Sequence, residues 1–134
     1  MYLLKSVVST VSTIVILTLV FSNVAVARLD PVFDIVAAEI VSSTPKDLES
    51  VKKAIIAGGK VRRWRMQELA AGHLEAVIEV RSHQATVDII FDTKTYSITY
   101  RDSVNLKYSD GQIHRNYNKW IQNLDLSIQK SLSY

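Results

Sequence analysis

Between residues 74 and 100, apolar and polar positions alternate through three successive runs, and this feature restricts the fold more than any other in the chain. Leu74, Ala76, Ile78 and Val80 share one side of the first run, Ala85, Val87, Ile89 and Phe91 of the second, and Tyr96, Ile98 and Tyr100 of the third. A period of two is the side-chain repeat of a strand with one buried face, and a one-residue slip would turn a whole apolar set to water. With Ser82-His83 and Thr93-Lys94 as tight connections, Leu74, Phe91 and Tyr96 fall in one row. Ala76, Ile89 and Ile98 form the next, then Ile78, Val87 and Tyr100. Every row is apolar, which predicts an antiparallel meander. A preceding strand over about Val61 to Leu69, joined through Ala70-Gly72, makes it four-stranded. The opposite face carries Glu75, Glu79, Arg81, Thr86, Asp88, Ser97, Thr99 and Arg101, broken only by Val77 and Ile90, so it is expected to be solvated.

Helical patterns flank the meander. In "TPKDLESVKKAIIAGG", Thr44 suits an N-cap, Pro45 the first helical position, and Gly58-Gly59 a stop. Leu48, Val51 and Ile55 repeat on one side of it, with Ala54 and Ile56 beside them, while Lys46, Glu49, Lys52 and Lys53 stay wet. At the other end, Ile113, Tyr117, Trp120, Ile121, Leu124, Ile128 and Leu132 form a stripe on a helix starting near Asp110-Gly111. The expected fold is α+β in two layers: helix, four-stranded antiparallel meander, C-terminal helix, with both helices on one sheet face.

The 134 residues, 48% hydrophobic and 22% charged, fit one globular domain, placed at 44–134 behind an extended lead-in at 28–43 that holds a short strand near Phe33 to Val36. Residues 1–27 read as a secretory signal peptide: Lys5, then an uncharged apolar run, then Ala25 and Ala27 in an A-x-A site. Cleavage after Ala27 would start the mature chain at Arg28. The competing reading is an uncleaved anchor, since Ser6 to Ala27 carries no charge. Both imply an exported, periplasmic or envelope-associated domain. The chain has no cysteine, so disulfides, thiolate chemistry and a lipidated cysteine are excluded together. A net charge of +3 is far from the dense basic face of a nucleic-acid binder, and none is expected as partner.

The stretches "RRW", "YSITYRDSVNLKY" and "IHRNYNKWIQNL" together resemble a family of small proteobacterial envelope proteins, often described as lipoproteins, whose function is not assigned. Members usually carry a lipid-modified cysteine after the signal peptide, where this chain has Arg28. The resemblance implies a small envelope-associated domain and transfers no catalytic residue.

Two polar clusters carry the functional expectations. In "HRNYNKW", residues 114 to 120, Tyr117 and Trp120 fall on the apolar stripe and His114 at the helix start. Asp102, Ser103, Asn105, His114 and Asn118 form either a structural network docking that helix onto "DSVNLKY" or the centre of a small-ligand or hydrolase site. The second cluster, "KVRRWR", sets Lys60, Arg62, Arg63 and Arg65 around Trp64, which is expected to point inward with Met66. Its arginines either complement the negative end of the first helix or contact an anionic surface, lipid or another envelope protein. No metal and no cofactor are expected: His73 and His83 are read at opposite ends of one strand, on the order of 30 Å apart at about 3.3 Å per residue, beyond the reach of one ion. No G-x-S-x-G elbow and no phosphate loop occur. The pattern points to a non-enzymatic interaction or accessory module, its oligomeric state left open. The alternatives are a membrane-surface protein using the basic rim and a minor hydrolase or ligand binder.

Overall fold

The computed structural model describes residues 28–134. The elements are β1 (Leu29–Pro31), β2 (Ile35–Glu39), α1 (Leu48–Val61), β3 (Arg65–Ala70), β4 (His73–Val80), β5 (His83–Phe91), β6 (Thr95–Val104), β7 (Gln112–His114) and α2 (Arg115–Leu132). The α+β class and the antiparallel sheet stand, but the sheet is larger than a four-stranded meander: five strands run in the order β2-β6-β5-β4-β3, and β1 pairs with β7 in a second, two-stranded sheet. Of the three added strands, β1 and β2 come from the expected lead-in and β7 from the segment just before α2. Ser97 Oγ accepts the Ala37 N–H at 2.9 Å and Asp34 accepts the Tyr100 N–H at 3.0 Å, so side chains as well as backbone fasten β2 to the edge of β6.

The alternation sets the core as expected. Leu74, Ala76, Ile78, Ala85, Val87, Ile89, Phe91, Tyr96 and Ile98 are buried together with Val51 and Ile55 of α1 and Tyr117, Ile121, Leu124, Ile128 and Leu132 of α2. Between β5 and β6, Phe91 faces Tyr96, Ile89 faces Ile98 and Val87 faces Tyr100, the expected rows. Between β4 and β5 the register differs by two residues: Leu74 faces Ile89, Ala76 faces Val87, Ile78 faces Ala85 and Val80 faces His83. The turn is therefore Arg81-Ser82, with Arg81 at φ +57. A shift of two preserves which face is buried, so the apolar pattern cannot distinguish the registers; the left-handed turn backbone does.

Both helices begin later than expected. α1 is capped by Asp47, whose Oδ1 accepts the Ser50 N–H at 2.7 Å, leaving Thr44 and Pro45 in the approach. The Gly58-Gly59 pair does not stop it; both glycines are buried inside α1. At Gly58 the backbones of α1 and α2 meet, because a Cβ built there would stand 2.8 Å from Ser127 O and from Ile128 Cα. α2 starts after His114, since Gln112–His114 is taken up by pairing with β1.

Among the described residues, no helix is long and apolar enough to cross a membrane. The alternative of a membrane-associated domain held by an uncleaved N-terminal helix, and the lipoprotein-like reading with it, is corrected to this extent: the described residues supply no helix to hold the domain in a bilayer. The signal-peptide and cleavage readings of residues 1–27 lie outside the described residues.

Candidate functional site

The first polar cluster is held by the chain itself. Asn118 reaches back to the N-terminal strands: its Oδ1 accepts the Phe33 N–H at 3.0 Å and its Nδ2 donates to Pro31 O at 2.8 Å. His114 is the N-cap of α2, its Nδ1 accepting the Asn116 N–H at 3.2 Å. Its ring stacks on His83, centroids 6.4 Å apart, and His83 Nδ1 donates to Asn105 O at 2.7 Å. Asn105, at φ +59, donates to Ser82 Oγ at 3.0 Å. Ser103 Oγ and Tyr100 OH are 2.9 Å apart, and Asp102 accepts the Ser103 N–H at 2.8 Å. His83 thus links His114 to Asn105. No hydrogen bond joins Asp102 or Asn118 to His114 or Asn105 among the described residues.

The second cluster frames a groove. Val61, Ile78, Val80 and Trp120 supply its apolar lining and Arg62, Arg63 and Glu79 its charge, around a volume of about 320 Å³. Local backbone explains why the arginines stand there. α1 ends with the Arg62 N–H donating to Gly59 O, the Arg63 N–H to Lys60 O and the Trp64 N–H again to Gly59 O. This closure needs a left-handed residue after the cap, a place glycine usually takes, and Arg63 occupies it at φ +64. Trp64 turns into the core and is 3% exposed, as expected, while its indole Nε1 is buried without a hydrogen-bond partner among the described residues. Arg62 Nε donates to Ser127 Oγ at 2.8 Å, a neutral partner. Among the described residues, Lys60, Arg62 and Arg63 make no ion pair, whereas Arg65 pairs with Glu79 at 3.2 Å. The sequence pattern places the arginines but makes Trp120 only core; its place on the flank of the apolar stripe, half-buried where Tyr117 and Ile121 are fully buried, marks it as groove lining.

Several other charged groups pair with one another. On the open sheet face, Arg101 reaches Glu75 at 2.6 Å and Asp88 at 3.3 Å, and Asp88 also meets His73 Nε2 at 2.7 Å. The guanidinium occupies the place between carboxylates that a cation would need. His73 and His83 open two successive strands, not the ends of one, and no set of three or more His, Asp or Glu side chains is arranged for a metal among the described residues. Burial pushes the Tyr117 hydroxyl's pKa far up, with Asp34 and Tyr100 adding to it, and this hydroxyl has no hydrogen-bond partner among the described residues. Burial, then the hydrogen bond to Asp125, does the same to Tyr96. Both tyrosines stay protonated and structural.

No protein-family model, no curated protein and no solved structure matches the chain.

Proposed function

We propose that the domain is a non-enzymatic interaction module and that its binding surface is the groove formed by the end of α1, the end of β4 and Trp120, with an acidic protein segment as its ligand. The observation that carries this reading is the pair Arg62 and Arg63, which line an apolar groove and form no ion pair among the described residues, the one carboxylate in the lining, Glu79, being paired with Arg65. Charges left unpaired beside apolar side chains favour a ligand bringing the opposite charge, and such complementarity sets both encounter rate and specificity. Arg63 adds a conformational argument. A non-glycine residue at left-handed φ costs roughly 1–2 kcal/mol, and such residues cluster at functional sites.

The hydrolase alternative has less to stand on. Ser103 Oγ is paired with Tyr100 OH and His114 Nδ1 with the Asn116 N–H, so neither serves the other as nucleophile and base. A titration of the full chain with a short glutamate- and valine-rich peptide, followed by tryptophan fluorescence, tests the proposal. Saturable binding is expected, weakened by about tenfold or more when Arg62 and Arg63 are both replaced by glutamate, the equivalent of about 1.4 kcal/mol. Equal affinity for the charge-reversed variant, with its far-UV circular dichroism unchanged, would sink the reading.

A further inference from the structure

We infer that the acidic segment binds as an added β-strand on the open end of β4, pairing with the backbone of Glu79; this rests on the reading of the groove as a binding site. The register carries the argument. β3 begins at Arg65, opposite Val77, so β4 continues through Ile78, Glu79 and Val80 with β5 on one side and no strand on the other. Alternate residues of an antiparallel strand turn their N–H and C=O to opposite neighbours, and a two-residue turn closes on a hydrogen-bonded pair. Arg81-Ser82 is that turn and Val80 faces His83 across it. Glu79 therefore directs its backbone donor and acceptor to the side where β3 has ended.

The chain preceding β3 does not fill the gap. The N–H groups of Arg62, Arg63 and Trp64 all turn back to carbonyls of α1. What remains, among the described residues, is two unpaired backbone groups at the lip of an apolar groove, the arrangement by which a sheet accepts an extended peptide. Main-chain pairing supplies the geometry, and the flanking side chains supply the choice of ligand. Ile78 and Val80 point to the helix side of the sheet, where Val61 and Trp120 also line the groove, so alternate ligand side chains on that side meet apolar surface. Arg62 and Arg63 stand over the same path, with Arg81 just beyond Val80. Glu79, the one acidic residue lining the groove, is offset by Arg65 at 3.2 Å, so its charge does not oppose an acidic ligand. A bilayer surface offers anions but no strand, and the free edge favours the peptide.

The experiment compares three forms of one glutamate- and valine-rich peptide against the full chain: unmodified, N-methylated on one edge, and N-methylated on the other. Fluorescence anisotropy gives affinity and hydrogen exchange follows the Glu79 amide. One methylated form is expected to lose about tenfold in affinity, because its methyl removes the N–H that would donate to the Glu79 carbonyl and crowds the paired edge, while the other binds as the parent does. The Glu79 N–H is expected to gain protection on binding. If both methylated forms bind like the parent and Glu79 gains no protection, strand addition is overturned while the groove's role as an anion-recognising site survives. If no form of the peptide binds, the reading of the groove itself fails. Binding to phosphatidylglycerol vesicles that the peptide does not compete away would overturn the peptide proposal, as would a dimer in sedimentation whose Glu79 amide is already protected without peptide.

Discussion

Gly58 lies against the backbone of Ile128, so close that a Cβ on the glycine would stand 2.8 Å from the Ile128 Cα. The contacting atoms are backbone and cannot swing aside, so α1 and α2 would have to part. Gly58→Ala is expected to destabilise the domain by about 1–3 kcal/mol, the usual cost of overpacking, despite alanine's better helix propensity. Gly111→Ala is the control: nothing lies within 4 Å of its added Cβ, and only its left-handed backbone, φ +73, resists the change. Urea unfolding should rank Gly58→Ala as the more damaging of the two. A Gly58→Ala variant as stable as the parent would mean that the helices do not cross there.

Asn118 joins α2 to the segment between β1 and β2 through both ends of its amide. Asn118→Ala removes an acceptor and a donor together and should cost about 1–2 kcal/mol. Asn118→Asp keeps the bond from the Phe33 N–H and should cost less. Hydrogen exchange at Phe33 is the specific readout: it should rise sharply in the alanine variant and little in the aspartate variant. Equal exchange in all three proteins would refute the clamp.

The Tyr117 hydroxyl is buried with no hydrogen-bond partner among the described residues, so folding strips it of water without replacement. Tyr117→Phe should leave stability unchanged or raise it, by up to about 1–3 kcal/mol if the whole desolvation cost is relieved. It should also alter the alkaline limb. Because folding raises the tyrosine pKa, the unfolded chain releases its proton first as pH rises past the ordinary value of 10.0, and stability falls from there upward. Thermal melts of parent and variant above that pH should diverge in favour of phenylalanine. A variant melting well below the parent at neutral pH would show that the hydroxyl has a partner.

On the acid side the relevant group is Asp47, held below the ordinary 3.8 by its side-chain and backbone hydrogen bonds from Ser50. A depressed carboxylate stabilises the fold above its unfolded pKa, and that stability drains away as pH falls from 3.8 through the lower folded value. Asn can cap the same helix without titrating. Asp47→Asn should therefore flatten this part of the acid limb in urea midpoints measured down to about pH 2, leaving the share due to Asp92, which is depressed by the N–H groups of Thr95 and Lys94. An unchanged acid limb would mean that the cap carries none of the pH dependence.

How far the sequence reveals this molecule depends on the range of the interaction involved. The alternation at Leu74 to Tyr100 fixes strands and buried face, because each apolar side chain reports its own environment. The edge strand at Ile35–Glu39 escapes that logic: its fastening to β6 comes from Ser97 and from Asp34, which meets Tyr100, partners more than fifty residues away, and Ala37 at φ +49 breaks the period. Gly58 misleads for a related reason, since a glycine at a helix end and a glycine at a helix crossing look alike until the second helix is placed. The polar cluster was legible as residues but not as roles, because whether Asn118 binds a ligand or its own chain depends on where β1 lies. The basic cluster was legible in charge, and the groove beside it depends on β3 ending one residue short of Ile78.

The most direct measurement is made on Arg63→Gly, following stability and peptide affinity in the same protein. Glycine relaxes the left-handed position after α1 while removing one unpaired charge from the groove, so the fold and the binding surface are pulled in opposite directions. The account requires a protein more stable by up to about 1 kcal/mol that binds the glutamate- and valine-rich peptide more weakly. A variant that loses stability, or that binds the peptide as tightly as the parent, would contradict the claim that Arg63 is held there for recognition.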